Sequence, residues 1–120
     1  MSINIVLIGA GEVGFNLAKV ISKENYDLTV IDIDKQRCNR IQNTIDARVI
    51  QGNGCSQQIL QKIDFKNVDY FLSLTRIDEV NLVASRIAKK LGAKKVITRL
   101  RNTEYIHSDA IVTPSEFGID

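Results

Sequence analysis

Residues 9–14 read Gly-Ala-Gly-Glu-Val-Gly, between the apolar run Ile3–Ile8 and a stretch with helical spacing. No other feature of the chain limits its fold as much. A continuous apolar run suits a strand buried on both faces. Three glycines at G-x-G-x-x-G spacing, directly after a strand and opening a helix, suit a tightly closed strand–turn–helix unit. Gly9 makes the tight turn without Cβ strain. Gly11 lets a pyrophosphate approach the backbone, and Gly14 lets the helix pack closely on the strands. The free N–H groups of the first helical turn then face the phosphates, and the helix dipole adds about half a positive charge there.

The rest of the chain repeats this alternation. Val13, Leu17, Val20 and Ile21 mark one face of a first helix. Leu28–Ile31 is a second strand, after which Asp34 caps a helix bearing Cys38, Ile41 and Ile45. Arg48–Gln51 is a short third strand ending in Gly52-Asn53-Gly54. Ser56 caps a helix holding Ile59, Leu60 and Ile63, and Val68–Leu72 is strand four. Asp78 caps the next helix, with Val80, Val83, Ala84, Ile87 and Leu91 as its buried face and Gly92 ending it. Lys95–Leu100 is strand five, and Asp109–Val112 reads as a sixth, stopped by Pro114. Such alternation with short loops implies right-handed βαβ units. The expected fold is α/β, a Rossmann-like doubly wound parallel sheet of about six strands with helices on both faces, forming one domain over 1–120.

The second half of the nucleotide signal is Asp32, at the end of strand two and 18 residues after Gly14. A carboxylate there accepts hydrogen bonds from a ribose hydroxyl. Ile33 follows it where an arginine would favour a 2′-phosphate. The sequence therefore favours an adenosine ribose with free hydroxyls, as in NAD(H), ADP or ATP, with Lys35 and Arg37 near enough to keep NADP a minor option. Glu12 suits the positive end of the helix, and it also adds negative charge beside any phosphates. Asn53, with Gly54, ends strand three on the same sheet edge, where its amide could meet an adenine edge or serve a plain turn. Thr75 and Arg76 lie in the loop across the switch point of a doubly wound sheet. Asp78 and Asn81 read as the cap and third-residue pair of the helix that follows. Arg99 ends strand five, within reach of a phosphate or on the surface.

The remaining chemistry narrows the function. Net charge is +2, so no nucleic-acid surface or membrane-binding basic patch is expected. No apolar run approaches the ~20 residues of a membrane span, and the N-terminus lacks the basic region of a signal peptide. Cys38 and Cys55 form no C-x-x-C pair or metal-ligand spacing, so reduced thiols in the cytosol are expected and no metal. His107 stands alone, with no nucleophile or carboxylate pair placed by motif. No catalytic residue is expected. The alternative to a binding module is the cofactor domain of an NAD-dependent dehydrogenase, which shares Gly9–Gly14 and Asp32 but needs a substrate domain and an acid or base as well.

Gly9-x-Gly11-x-x-Gly14, Val30-Ile31-Asp32-x-Asp34, Asp46, Val49-x-x-Gly52-Asn53-Gly54, Asp69, Thr75-x-x-Asp78-Glu79-x-Asn81 and Arg99 occur in this order. Together with the tail His107–Pro114 they resemble the N-terminal nucleotide-binding lobe, the KTN or RCK domain, of Trk-type potassium-uptake regulators. The Thr-x-x-Asp-Glu-x-Asn segment narrows the resemblance most. It implies a non-catalytic domain on the cytoplasmic face of the membrane, itself not membrane-spanning. Such a domain binds NAD(H) or adenine nucleotides, pairs as a homodimer within larger assemblies, and acts on a potassium channel or transporter subunit. Carried over, Gly9, Ala10, Gly11, Glu12, Val13 and Gly14 cradle phosphates. Asp32 and Ile33 meet the ribose, and Asn53 and Gly54 line the adenine side. Thr75, Arg76 and Asp78 border the distal half of the ligand, and Arg99 reaches phosphate. Family members continue into a crossing helix and a C-terminal lobe, so the chain is expected to be part of a longer one.

Overall fold

The computed structural model describes residues 2–120. Five parallel strands form one sheet: β1 (Asn4–Ile8), β2 (Asp27–Asp32), β3 (Arg48–Gln51), β4 (Tyr70–Ser73) and β5 (Lys95–Thr98). Their spatial order is β3-β2-β1-β4-β5. The register sets Ile8 beside both Ile31 and Ser73, so the carboxyl ends of the three central strands lie level along one edge. The order reverses between β1 and β4, which is the switch point where open α/β sheets bind ligands.

Helices α1 (Glu12–Ser22) and α2 (Lys35–Thr44) cover one face of the sheet, and α3 (Gln57–Leu60) and α4 (Asp78–Leu91) cover the other. The alternation of β1 divides the core accordingly. Ile5 and Leu7 pack with Phe15, Ala18 and Ile41 on the α1 side, while Val6 and Ile8 pack with Phe71, Ala84 and Val96 on the α4 side. Phe65 closes the second core edge-on to Phe71, with ring centroids 5.7 Å apart. The caps at Asp34 and Ser56 form as the sequence implies, and Gly92 ends α4 at φ +119°.

Several expectations are corrected. Asp109–Val112 is not a strand: Ile111 is 96% exposed there. On the outer edge of β5, where a sixth strand would pair, both backbone groups of Val96 are taken by Asp120, whose N–H donates to Val96 O while its carboxylate accepts Val96 N–H. Pro114 and the Thr113 N–H bond to the Glu116 carboxylate turn the chain into a short 3-10 helix (Pro114–Phe117) instead. The buried face of α1 is Gly14, Phe15, Ala18 and Ile21, while Val13 and Val20 are exposed. Gly14 lies directly on the Gly9 carbonyl, and this close contact turns Phe15 and Ala18, rather than Val13, toward the sheet. The helix expected to hold Ile63 is one turn only. In α4 the innermost positions are Asn81, Leu82, Ala84, Ser85 and Ala88, with Val83 exposed. The N-cap of α4 is Ile77, and Asp78 is already inside the helix.

Candidate functional site

A cavity of about 620 Å³ lies at the switch point, within the size range of small-molecule pockets. Of the residues singled out from the sequence, it is lined by Gly9, Gly11, Glu12, Val13, Asp32, Ile33, Asn53, Gly54, Thr75, Arg76 and Arg99. Ala10, Gly14 and Asp78 stand behind the wall rather than in it.

The glycine loop is held from beneath. Gly9 N–H donates to Ile31 O at 2.9 Å, and Ala10 N–H donates to the Asp32 carboxylate at 2.7 Å. The first bond of α1 runs from Phe15 N–H to Gly11 O. The N–H groups of Gly11, Glu12 and Val13 are left at the mouth of the helix without a partner among the described residues. Each glycine has a distinct role. A Cβ on Gly14 would sit 1.7 Å from Gly9 O, and one on Gly9 would meet Thr75 N at 2.9 Å on a backbone with φ +99°. A Cβ on Gly11 would meet nothing within 4 Å. Gly9 and Gly14 therefore build the turn, whereas Gly11 leaves open space in front of free amides.

Asp32 is buried at the end of β2. Besides Ala10 N–H, it accepts Asp34 N–H at 2.8 Å, so one lone-pair direction on each oxygen is committed and the others remain. Arg37, at the start of α2, reaches the cavity and lies 3.9 Å from both the Asp32 and Asp34 carboxylates. Cys38 sits beneath, its Sγ donating to Asp32 O; burial, reinforced by the nearby Asp32 charge, raises its pKa. Glu12 extends outward to Arg40 at 3.5 Å, and Arg40 lies over the Phe15 ring at 3.7 Å. Asn53 turns its Oδ1 back to Cys55 N–H at 3.0 Å, leaving its amide nitrogen as the group that can face a ligand.

On the far side of the switch point, Thr75 is fastened to Asn81 through both backbone and side chain. Asp78 does not cap its helix. Its buried carboxylate accepts Arg101 N–H and Asn102 N–H, the latter at 2.7 Å, tying the segment after β5 to the start of α4. Arg99 reaches the cavity while its carbonyl is held by Asn81.

The cavity also includes Ile8, Ile31, Leu74, Ile77 and Val80, which sequence reasoning did not place there. Ile8 and Ile31 are the last or near-last residues of central strands, a position from which the sheet-edge rule could have found them. Val80 looked like part of the core stripe of α4 and instead faces the cavity wall. These apolar groups give the cavity a greasy floor between two polar rims.

The fold and sequence have known counterparts. The model of the TrkA-N domain family matches residues 5–111. The Trk system potassium uptake protein TrkA homolog of Archaeoglobus fulgidus is 40% identical over 116 residues, which cover 97% of this chain and 26% of that protein. The chain spans about a quarter of the length of the curated relatives it matches first. Among solved structures, the TrkA-N domain of inner membrane protein ybaL from Escherichia coli superposes with a TM-score of 0.81 at 17% identity, covering 100% of this chain and 85% of that one. The GsuK channel bound to NAD gives 0.70 at 12% identity, over 82% of this chain and 18% of that one. Likeness at such identity speaks to the fold alone; the family match rests on sequence over 5–111, and by it this chain belongs to the TrkA-N domain family.

Proposed function

We propose that this domain is the nucleotide-binding regulatory lobe of a potassium uptake system. It takes NAD(H), or alternatively ATP or ADP, in the switch-point cavity and passes the change to a membrane potassium-translocating subunit. In this reading it catalyses nothing, sits on the cytoplasmic face of the membrane, and works as a homo-oligomer with a dimer as the basic unit. The observation that carries the proposal is the open space over Gly11, in front of unpaired amides at the start of α1, in a cavity bordered by Asp32. A phosphate bridge fits that chemistry: amide donors, a helix dipole and no side chain in the way. The family membership and the potassium-uptake names of the relatives support the physiological half of the reading.

The group the cavity would hold supplies charge and shape rather than reaction chemistry. The Gly11, Glu12 and Val13 amides would take its phosphates, and Asp32 the adenosine ribose. Asn53 and Gly54 would border the base, with Thr75, Arg76 and Arg99 around the distal half. Regulation then requires differential affinity. A nucleotide shifts a two-state partner only by the difference in its binding to the two states, typically ~1–3 kcal/mol.

Calorimetric titration of the chain with NAD, NADH, ATP and ADP tests the proposal, with Gly11→Val as the control. The Gly11 backbone is extended and a Cβ there meets nothing within 4 Å, so valine's side chain enters the phosphate seat from a position the fold leaves open. Binding in the parent chain and its loss in Gly11→Val are expected. Absence of binding, equal binding in the variant, or hydride transfer to any small substrate would overturn the reading.

A further inference from the structure

Asn81 is fully buried at the close of the first turn of α4, and both polar atoms of its side chain are engaged. Its Oδ1 accepts Ser73 Oγ at 3.0 Å, Thr75 N–H at 3.0 Å and Thr75 Oγ1 at 2.7 Å. Its Nδ2 donates to Thr75 O at 3.0 Å and Arg99 O at 2.9 Å. One side chain thus holds the exits of β4 and β5, the two strands on the far side of the switch point. The requirement is chemically narrow. Three donors converge on one atom and two carbonyls on the other, a set that a neutral amide satisfies and a carboxylate does not.

We propose that Asn81 is a positioning residue. It sets the backbones of Thr75 and Arg99, and with them the wall that meets the half of a ligand beyond the adenosine phosphate. It therefore governs how far the chain prefers a dinucleotide to a mononucleotide. This rests on the nucleotide reading above and adds to it a residue that touches no ligand.

The near wall has its own anchors. The glycine loop hangs from Ile31 O and the Asp32 carboxylate, bonds in which Asn81 takes no part, while Gly9 packs against the Thr75 backbone. A change at Asn81 therefore acts first on the hydrogen bonds of the far wall, while the bonds that hold the Gly9–Ala10 turn are kept. Asn81 is further braced from α4 itself, where Ser85 Oγ donates to its carbonyl and also meets Thr98 of β5. The far wall is consequently a single hydrogen-bonded unit, with Asn81 as the member common to both strand exits.

The test compares NAD with AMP, which carries the adenosine half and one phosphate only. Calorimetry would be run on the parent chain, on Asn81→Asp and on Phe65→Leu. Asn81→Asp keeps an acceptor for Thr75 but loses both donations, to Thr75 O and Arg99 O. Phe65→Leu loosens the α4-side core without touching the cavity and controls for general destabilisation. The expected result for Asn81→Asp is NAD affinity about tenfold weaker, with AMP affinity within about twofold of the parent. Phe65→Leu should lower the melting temperature and leave the NAD-to-AMP ratio unchanged. An unchanged ratio in Asn81→Asp, or equal weakening of both nucleotides, overturns the proposal. Should Asn81→Asp fail to fold, the side-chain amide resonance of Asn81 in the parent chain decides. It should move on adding NAD and not on adding AMP, and equal movement with both would overturn the assignment. A parent chain that binds neither nucleotide brings down the nucleotide reading itself, and this assignment with it.

Discussion

The Asp32 carboxylate accepts the backbone N–H of Ala10 at 2.7 Å, so the acid at the end of β2 holds the glycine loop that follows β1. Placed by its sequence position as a ribose acceptor, Asp32 is also a structural post. Asp32→Ala should therefore cost stability as well as any nucleotide affinity. It leaves the buried Ala10 N–H and the Asp34 N–H without their acceptors, a loss of about 2–4 kcal/mol. Chemical unfolding of the ligand-free chain measures this, and an unchanged midpoint would show that the loop holds itself. For this reason Gly11→Val, rather than Asp32→Ala, isolates binding from folding.

Gly14→Ala should be far more damaging than its size suggests. The added methyl would fall 1.7 Å from Gly9 O and 2.8 Å from Gly9 C, both backbone atoms that cannot turn aside. Relief requires moving α1 away from the sheet, so destabilisation of about 3 kcal/mol or more is expected. Thermal unfolding of Gly14→Ala beside Gly11→Ala reads the contrast directly, since the second change meets open space.

Two carboxylates fasten the ends of the chain, and both should appear in the acid limb of stability. Asp69 accepts Asn4 N–H and meets Lys94, and these bonds, the Asn4 bond foremost, hold its carboxyl below the ordinary range. Asp120 accepts Val96 N–H and meets Lys89, with the same result. A carboxyl that titrates lower when folded contributes fully above its unfolded value, near pH 4 for aspartate, and loses that contribution as pH falls through the folded value. Asp69→Asn and Asp120→Asn should thus be less stable than the parent at neutral pH, and the difference should shrink as pH falls below about 4. Urea midpoints measured from pH 2 to 7 check the sign.

The two thiols should separate cleanly under alkylation. Cys38 is buried beneath Asp32 and its thiol is pushed up by burial, so iodoacetamide should reach it only on unfolding. Cys55 is partly buried against the second core, its Sγ donating to Asn53 Oδ1 at 3.1 Å, and should react more readily than Cys38 in the folded chain. Saturating NAD should slow Cys55 labelling, with mass spectrometry of the peptides as readout. Equal labelling rates with and without NAD would show that the ligand does not rest against Asn53.

Local grammar made much of this molecule legible in its sequence. The strand–glycine–helix unit, the acid at Asp32 and the caps at Asp34 and Ser56 all use partners within a turn or one strand away, so spacing alone carries them. The α4 start misled for the same reason. An aspartate and an asparagine three residues apart satisfy the rules for a helix N-terminus, yet Asp78 and Asn81 bond to residues 18 to 24 positions further on. Nothing in the local pattern distinguishes these uses. On α1 the spacing finds Leu17 and Ile21 but not Phe15 and Ala18, because the contact of Gly14 with the Gly9 carbonyl, which spacing does not show, turns those two inward and leaves Val13 and Val20 exposed. The sixth strand failed because one aspartate at the far end of the chain satisfies the edge of β5 instead.

The contact of Gly14 against the Gly9 carbonyl has a thermodynamic corollary. A turn locked by van der Waals contact is already in its working shape before any guest arrives. Little ordering entropy is then lost at that end on association, and a shared adenosine portion contributes nearly the same free energy for every nucleotide. If the cavity takes nucleotides as proposed, discrimination among competitors would fall to the opposite rim, where Arg76 and Arg99 line the cavity.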